Sequence, residues 1–150
     1  GIDIELVEQP VKAHDIKGMQ YITKSVHTPI LADESVFDAK QAIDIIQCGA
    51  ADIINIKLMK CGGIYNALKI AAVAQIYSVE CMMGCMLESH LAVSAAAHFA
   101  AGQSVVRYVD LDGPLLCKTN PFSGGPLFDT DRIIMQNTAG IGISEIPNCF

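Results

Sequence analysis

The chain has 150 residues, of which 51% are hydrophobic and only 17% are charged, so it is long and apolar enough for one domain with a sizeable core. The net charge is −6, the pI is near 5.0 and no basic run occurs, which argues against a nucleic-acid partner. No segment has the basic start and apolar core of a signal peptide, and none approaches the ~20 uninterrupted apolar residues of a membrane span.

Strand-like and helix-like segments alternate along the chain, which predicts an α/β fold. Short apolar runs predict strands at residues 4–8, 30–33, 51–57, 79–84 and 105–112. Helical spacing predicts helices at about 16–26, 36–49, 63–78 and 88–101. The interval from strand to strand is roughly 25 residues, which is typical of repeated βα units in a parallel sheet.

The composition of the sequence changes after Gly113-Pro114. The stretch TNPFSGGPLFDTD is rich in Gly, Pro and Thr and predicts a loop. The two segments that follow, IIMQN and GIGI, predict short irregular or strand structure.

The cysteines are scattered and lie mostly among apolar neighbours. No two of them form a CxxC pair, and their positions are Cys48, Cys61, Cys81, Cys85, Cys117 and Cys149. This pattern predicts reduced core thiols in a cytoplasmic protein rather than a disulfide framework.

Polar side chains occur at the carboxyl ends of the predicted strands. Glu8 ends the first strand, Asp33 the second, Lys57 the third, and Asp110 with Asp112 the fifth. Carboxyl ends are where parallel α/β sheets and barrels do their chemistry. Because side chains two apart share a face of a strand, Asp110 and Asp112 point the same way. Two carboxylates on neighbouring strands could bind one Mg²⁺, although two are few for such a site.

Each of these residues also has a purely structural interpretation. Asp33 could cap a helix that begins near residue 36 or 37, and Lys57 could reach solvent from an apolar strand. Asp110 and Asp112 precede Gly-Pro and could be ordinary turn residues. Lys60 lies in the following turn and is predicted to be a surface residue. The joint pattern at successive strand ends is what favours a functional site.

Five motifs in this order and spacing resemble the enolase superfamily, and within it the muconate-cycloisomerase-like subgroup and the dipeptide epimerases of the L-Ala-D/L-Glu type. The motifs are VEQP at 7–10, ADES at 32–35, NIKLMKCGG at 55–63, ECMMGCMLES at 80–89 and DLDGP at 110–114. They are spread over nearly the whole chain.

The resemblance implies a fold as well as a family. It implies that the chain is the C-terminal part, about strands 4–8, of a modified TIM (β/α) barrel. Residues 1–114 would form the partial barrel, and residues 115–150 would return to a capping domain that this chain lacks. The family's first three barrel strands, with one metal carboxylate and a partner lysine, are also missing from the chain.

The resemblance also implies roles for individual residues. Lys57 resembles the catalytic base on the sixth barrel strand, and Glu8 and Asp33 resemble the second and third of three Mg²⁺ ligands. Asp110 and Asp112 resemble the pair that holds the α-ammonium group of a dipeptide. Cys85 takes a substrate-facing position that usually carries a small hydroxyl residue, so this chain departs from the family pattern there.

The expected function is therefore Mg²⁺-dependent epimerisation of a dipeptide by 1,1-proton transfer at the carbon next to a carboxylate. A lysine base needs its pKa lowered towards neutrality, and burial, Mg²⁺ and a second lysine are expected to lower it. The expected partners are a small-molecule substrate, such as an Ala-Glu-like dipeptide, and further copies of the chain in a homo-oligomer.

Other functions remain open at this point. A muconate-type cycloisomerase, an o-succinylbenzoate synthase and an N-acylamino acid racemase belong to the same family. Their substrates differ in whether they carry an ammonium group for the aspartate pair. An interpretation of another class is an inactive half-barrel that associates with itself through its exposed sheet edge.

Overall fold

The computed structural model describes residues 2–145, in which strands and helices alternate. The strands are β1 Val7–Glu8, β2 Ile30–Ala32, β3 Ile53–Lys57, β4 Glu80–Gly84, β5 Val106–Asp110, β6 Ser123–Gly124, β7 Leu127–Asp129, β8 Arg132–Ile134 and β9 Ile143–Glu145. The helices are α1 Ile16–Ser25, α2 Ala39–Cys48, α3 Leu58–Cys61, α4 Ile64–Ile76 and α5 His90–Gly102, followed by a 3-10 turn at Gly113–Leu116.

Strands β1 to β5 form one parallel sheet in the order of the chain. Each neighbouring pair is joined through a helix, as parallel strands require, and the sheet curls into a half-barrel. The predicted α/β class and partial barrel are thus confirmed. The register places Lys57 beside Gly84, and Gly84 beside Asp110, so three strand ends lie at one level.

The two faces of the sheet bury different sets of residues. The face towards the helices holds the main core, including Ile30, Ile54 and Met83, none of which exposes more than 1% of its surface. The inner face carries a smaller cluster in which Leu31 and Ile53 pack with Met82. This alternation follows the two-residue period of a strand, and it directs the polar residues at the strand ends to the inner face.

The structure places the start of α2 later than the sequence suggested. Asp38 is the N-cap, and its side chain accepts a hydrogen bond from the backbone N–H of Gln41 at 2.8 Å. The alternative in which Asp33 caps this helix is therefore wrong. Gly49 ends the helix in the left-handed conformation with φ of 66°, as the sequence predicts for this glycine.

Two elements near the site differ from the prediction. The first strand covers only Val7–Glu8 rather than residues 4–8, because it lies at the sheet edge and pairs only with the short strand β2. The helix α3 was not predicted, since four residues are too few to show helical spacing.

The C-terminal segment is more regular than the predicted loop. Strands β6 and β7 fall within TNPFSGGPLFDTD, and they pair with β9 and β8 in two small antiparallel sheets. Phe128, Ile133 and Met135 pack against the main core, and the His90 ring Nε2 lies 2.9 Å from the backbone O of Gly124. Contacts with α5 and the main core thus hold this segment, while residues 146–150 lie outside the described part of the chain.

The cysteine prediction is confirmed only in part. Cys61 and Cys81 are buried free thiols, and burial raises the pKa of Cys81 to about 12, so its thiol stays protonated. Cys48 and Cys85 are half-buried, whereas Cys117 is exposed, so its assignment to the core is wrong. Cys149 lies outside the described residues. Within residues 2–145, no helix has the length and apolar character needed to cross a membrane.

Candidate functional site

A cavity of about 790 Å³ opens at the carboxyl ends of β1, β2 and β3. It brings together Glu8, Asp33 and Lys57, three of the residues that the sequence singled out. The other lining residues are Gln9, Val11, Lys12, Ala13, His14 and Glu34. Its size lies within the range of about 300–1,000 Å³ that is typical of small-molecule sites.

The centre of the site is a buried cluster of one carboxylate and two ammonium groups. Lys57 Nζ donates to Asp33 Oδ2 at 2.6 Å, and Lys60 Nζ donates to Asp33 Oδ1 at 2.5 Å. Lys60 Nζ also donates to the backbone O of Asp33 at 2.6 Å and of Asn55 at 3.0 Å. All three protons of the Lys60 ammonium group therefore have acceptors.

The cluster shifts the pKa of each member. Burial raises the pKa of Asp33, but the hydrogen bonds and charges of the two lysines outweigh burial, so the pKa lies below its ordinary value. Burial dominates at Lys60, whose side chain is only 6% exposed, and holds its pKa below the ordinary value despite Asp33.

Lys57 behaves differently from the expectation that its pKa would be lowered. Burial does lower the pKa of Lys57, but the hydrogen bond and charge of Asp33 outweigh burial and raise it above its ordinary value. The physical reason is the direct ion pair, because an opposite charge in contact favours the charged form. In this state Lys57 carries its proton.

Lys60 was predicted to lie on the surface, and this prediction is wrong. Helix α3 begins directly after Lys57 and ends at Gly62, where φ is 82°. Since α3 completes about one turn of 3.6 residues, it carries the Lys60 side chain back over Asp33. The tight turn at Gly62 and Gly63, both with positive φ, is what allows α4 to start immediately afterwards.

Glu8 is tied to β3 by a buried asparagine. Asn55 is 1% exposed, and its Nδ2 donates to Glu8 Oε1 at 2.8 Å. Gly84 lies beside Lys57 on β4, and a Cβ atom there would come within 2.6 Å of Asn55 Oδ1 and 3.0 Å of Lys57 Cε. The missing side chain of Gly84 thus leaves the space that both β3 residues occupy.

The remaining predicted site residues lie at the carboxyl ends of β4 and β5, outside this cavity. Asp110 and Asp112 are exposed and line a second cavity of about 410 Å³, which also contains Asp131 and Arg132. Burial, and then the charges of Asp110, Glu88 and Asp112, raise the pKa of the half-buried Cys85 thiol against the opposing effect of the Gly113 backbone.

The structure thus assembles the predicted residues as two groups rather than one. Among the described residues, those that line the cavity of Lys57 do not include Cys85, Asp110 or Asp112. The registered strand ends at Lys57, Gly84 and Asp110 nevertheless place the two groups at the same end of the half-barrel.

The donor set suits a hard divalent cation in part. Glu8 and Asp33 are oxygen donors that face one cavity, and carboxylate oxygens are the ligands that Mg²⁺ prefers. Within residues 2–145, no group of three or more His, Cys, Asp or Glu side chains is placed to hold one metal ion. Glu34 lines the same cavity, but these three carboxylates do not form a three-ligand cluster, so the described residues supply two candidate carboxylates for a cation.

The sequence did not reveal two further polar residues, the half-buried Gln9 and the buried Glu88. Gln9 bonds to both Asp33 and Ser35 by its side chain. Glu88 is 4% exposed and accepts from the backbone N–H of Met86 at 3.0 Å. A charged residue inside the apolar run ECMMGCMLES was the available signal for Glu88.

The chain is similar to known proteins over almost its whole length. Residues 1–145 match the enolase C-terminal domain-like family. The L-Ala-D/L-Glu epimerase of Clostridium acetobutylicum is 49% identical over 148 residues, which are 99% of this chain and 41% of that protein. This chain therefore spans about two fifths of the length of the curated relatives it matches.

Solved structures show the same relationship. The substrate-liganded L-Ala-D/L-Glu epimerase of Bacillus subtilis has a TM-score of 0.91 and 49% identity, over 94% of this chain and 39% of that one. The dipeptide epimerase of Enterococcus faecalis complexed with Mg and the dipeptide L-Leu-L-Tyr has a TM-score of 0.91 and 46% identity, over 95% and 41%.

Proposed function

The chain belongs to the enolase C-terminal domain-like family, and from this we propose that the full-length protein is an epimerase that inverts the α-carbon of a dipeptide by 1,1-proton transfer. The observation that carries the proposal is the ammonium group of Lys57, held by Asp33 in a cavity that Glu8 also lines. Related proteins named as dipeptide epimerases support the choice of reaction.

Removing a proton next to a carboxylate is difficult because the enediolate product carries concentrated negative charge. We propose Mg²⁺ as the cofactor, with Glu8 and Asp33 as two of its ligands. Bound there, the ion would act as a Lewis acid and stabilise that charge. The solved structure of a related dipeptide epimerase is complexed with Mg and a dipeptide, which supports the choice of ion. The third carboxylate of the family's set has no counterpart among the residues described here.

Lys57 moves the proton on one face of the α-carbon in this proposal. Its raised pKa means that it carries a proton while paired with Asp33, so it is ready to donate to that face. In the reverse direction Lys57 would have to be neutral to accept the proton. That requires a lower pKa, which would follow if a cation bound to Asp33 offset the charge that raises the pKa of Lys57. A second base is needed for the opposite face, and none of the candidate residues of this chain is assigned that role.

Asp110 and Asp112 hold the substrate's α-ammonium group in this proposal. Two exposed carboxylates suit a cationic amino terminus because charge-assisted hydrogen bonds are stronger than neutral ones. Cys85 lies at the end of β4 between this pair and Lys57 in strand order, where we propose that it contacts the substrate.

The proposed reaction predicts solvent exchange together with inversion. When the full-length protein and Mg²⁺ are incubated with a panel of L,L-dipeptides in D₂O, we expect loss of one α-proton signal and appearance of the L,D epimer by NMR. An N-acyl amino acid and a muconate serve as comparison substrates. Turnover of either comparison substrate without any turnover of dipeptides would reject the dipeptide assignment.

The proposed role of Asp110 and Asp112 predicts which substrates are turned over more slowly when one of these carboxylates is removed. Because Asp112→Asn removes a charge-assisted bond to the ammonium group, kcat/KM for a dipeptide is expected to fall about tenfold or more. Turnover of an N-acyl amino acid, which has no ammonium group, is expected to change little. Asp131→Asn in the same cavity is the matched control, and equal losses on both substrates would contradict the role of Asp112.

Three further expectations from the sequence stay predictions. They are the division into a partial barrel at residues 1–114 and a returning segment at 115–150, a homo-oligomeric assembly, and a cytoplasmic location. The packing of Phe128 and Ile133 on the main core shows that the returning segment also contacts the barrel.

A further inference from the structure

Gln9 has a backbone conformation that its sequence position disfavours. It is one of three non-glycine residues with positive φ in residues 2–145, at 38°, and L-residues rarely adopt such values. The next residue is Pro10, which favours an extended conformation with negative φ in the residue before it. A strained conformation of this kind persists only where the surrounding structure enforces it.

The Gln9 side chain supplies that enforcement through four hydrogen bonds with nitrogen and oxygen partners, besides a longer one of 3.8 Å from Nε2 to Met19 Sδ. Its Oε1 accepts from the backbone N–H of Asp33 at 2.9 Å and of Ser35 at 3.3 Å. Its Nε2 donates to Ser35 Oγ at 2.8 Å and to the backbone O of Val11 at 3.2 Å. Both halves of the amide are therefore used, and most of the bonds go to residues 24 or more positions away.

These bonds join the two walls of the cavity. Residues 9 and 11–14 form one wall, and residues 33 and 34 form part of the other. Ser35 extends the link, because its Oγ donates to the backbone O of Ala13 at 2.8 Å. The bond to the Asp33 N–H fixes the backbone that carries the Asp33 carboxylate, and Glu8 is the residue immediately before Gln9.

We propose that Gln9 is a positioning residue that sets the distance and orientation between the Glu8 and Asp33 carboxylates for binding a divalent cation. The inference rests on the cation site proposed above. The hydrogen bonds of Gln9 fix the chain on both sides of that site, and groups that orient cation ligands in this way commonly set the affinity of the site.

The direct test is cation affinity in the full-length protein, measured by electron paramagnetic resonance with Mn²⁺ as the probe. Gln9→Met keeps the length of the side chain and removes its hydrogen bonds, so the Kd for Mn²⁺ is expected to rise about tenfold or more. Ser35→Ala removes the bond from Gln9 Nε2 and the link to Ala13 but leaves both bonds to Gln9 Oε1 in place, so we expect a smaller rise in its Kd, of about threefold.

A matched control separates positioning from a general loss of hydrogen bonding. Gln20 lies on α1 and donates from its side chain to the backbone O of Cys48, away from the cavity. Gln20→Met also loses a side-chain hydrogen bond but is expected to bind Mn²⁺ as wild type does. If Gln9→Met binds Mn²⁺ as tightly as Gln20→Met does, the proposal is wrong.

A second variant covers the case in which Gln9→Met does not fold. Gln9→Glu keeps an acceptor for both backbone N–H groups and adds negative charge, so it should bind Mn²⁺ at least as tightly as wild type. A tenfold loss in this variant, or no Mn²⁺ binding by wild type, would overturn the inference. If Mn²⁺ binding follows these expectations but no dipeptide is turned over, the positioning role stands and the proposed reaction fails.

Discussion

Full-length protein carrying Lys57→Met is expected to lose exchange of the substrate α-proton with solvent for at least one of the two epimers. Methionine keeps much of the length of the side chain but cannot donate or accept a proton. A positioned general acid or base contributes about 10²–10⁴-fold to rate, so a loss of at least about a hundredfold is expected. The measurement is the initial rate of α-proton loss in D₂O, taken separately with each epimer.

Lys40→Met is the control for this experiment. Lys40 lies on α2 with its side chain 82% exposed, and it pairs with Asp44 in the next turn, so its loss should leave both exchange rates unchanged. If Lys57→Met exchanges the α-proton of both epimers at the wild-type rate, Lys57 takes no part in proton transfer. A loss confined to one epimer would assign Lys57 to a single face of the α-carbon.

Asp33→Asn is expected to reduce the free energy of unfolding by about 3 kcal/mol, because it removes the counter-charge from two buried lysines. The Lys57 and Lys60 side chains are 12% and 6% exposed, so water screens their mutual repulsion poorly. Urea unfolding followed by circular dichroism measures the change, provided that the transition stays cooperative.

The matched control is the other lysine–aspartate pair already described. Asp44→Asn breaks the exposed pair with Lys40, in which the two side chains are 82% and 59% exposed, and its effect on the free energy of unfolding is expected to be small because water screens exposed pairs. A similar small change in both variants would mean that the cluster around Asp33 is well solvated. A large change in Asp33→Asn alone supports the buried network.

Much of the site could be predicted because strands have a fixed two-residue period. Once β3 is placed, Asn55 and Lys57 must share a face, and the same rule pairs Leu31 with Asp33. The carboxyl ends of parallel strands then meet at one edge, which brings Lys57 and Asp33 within 2.6 Å of each other. Local patterns were sufficient here because the sheet topology is regular.

Lys60 and Gln9 could not be found in the same way. The position of Lys60 depends on α3, whose four residues show no period. Gln9 acts through bonds to residues 24 and 26 positions away, and no local pattern records such contacts. Both residues contact Asp33, but these contacts exist only in the folded chain and could not be predicted from the sequence alone.

The chain's outer elements were also mispredicted, for a related reason. Residues 4–6 suggested a longer first strand, but an edge strand is only as long as its single neighbour allows. In the C-terminal segment, glycines and prolines suggested a loop, yet β6 and β7 pair there with β9 and β8. Whether such segments form strands, and how long the strands are, depends on their pairing partners, which local composition does not show.

The space above Gly84 limits how this site can be redesigned. Any side chain at this position would meet Asn55 Oδ1 at 2.6 Å and Lys57 Cε at 3.0 Å, and alanine is already too large. A saturation library at position 84 should therefore recover glycine almost alone under selection for turnover. Cys85, the proposed substrate contact at the end of the same strand, is not held by this packing restriction and is the position to vary instead.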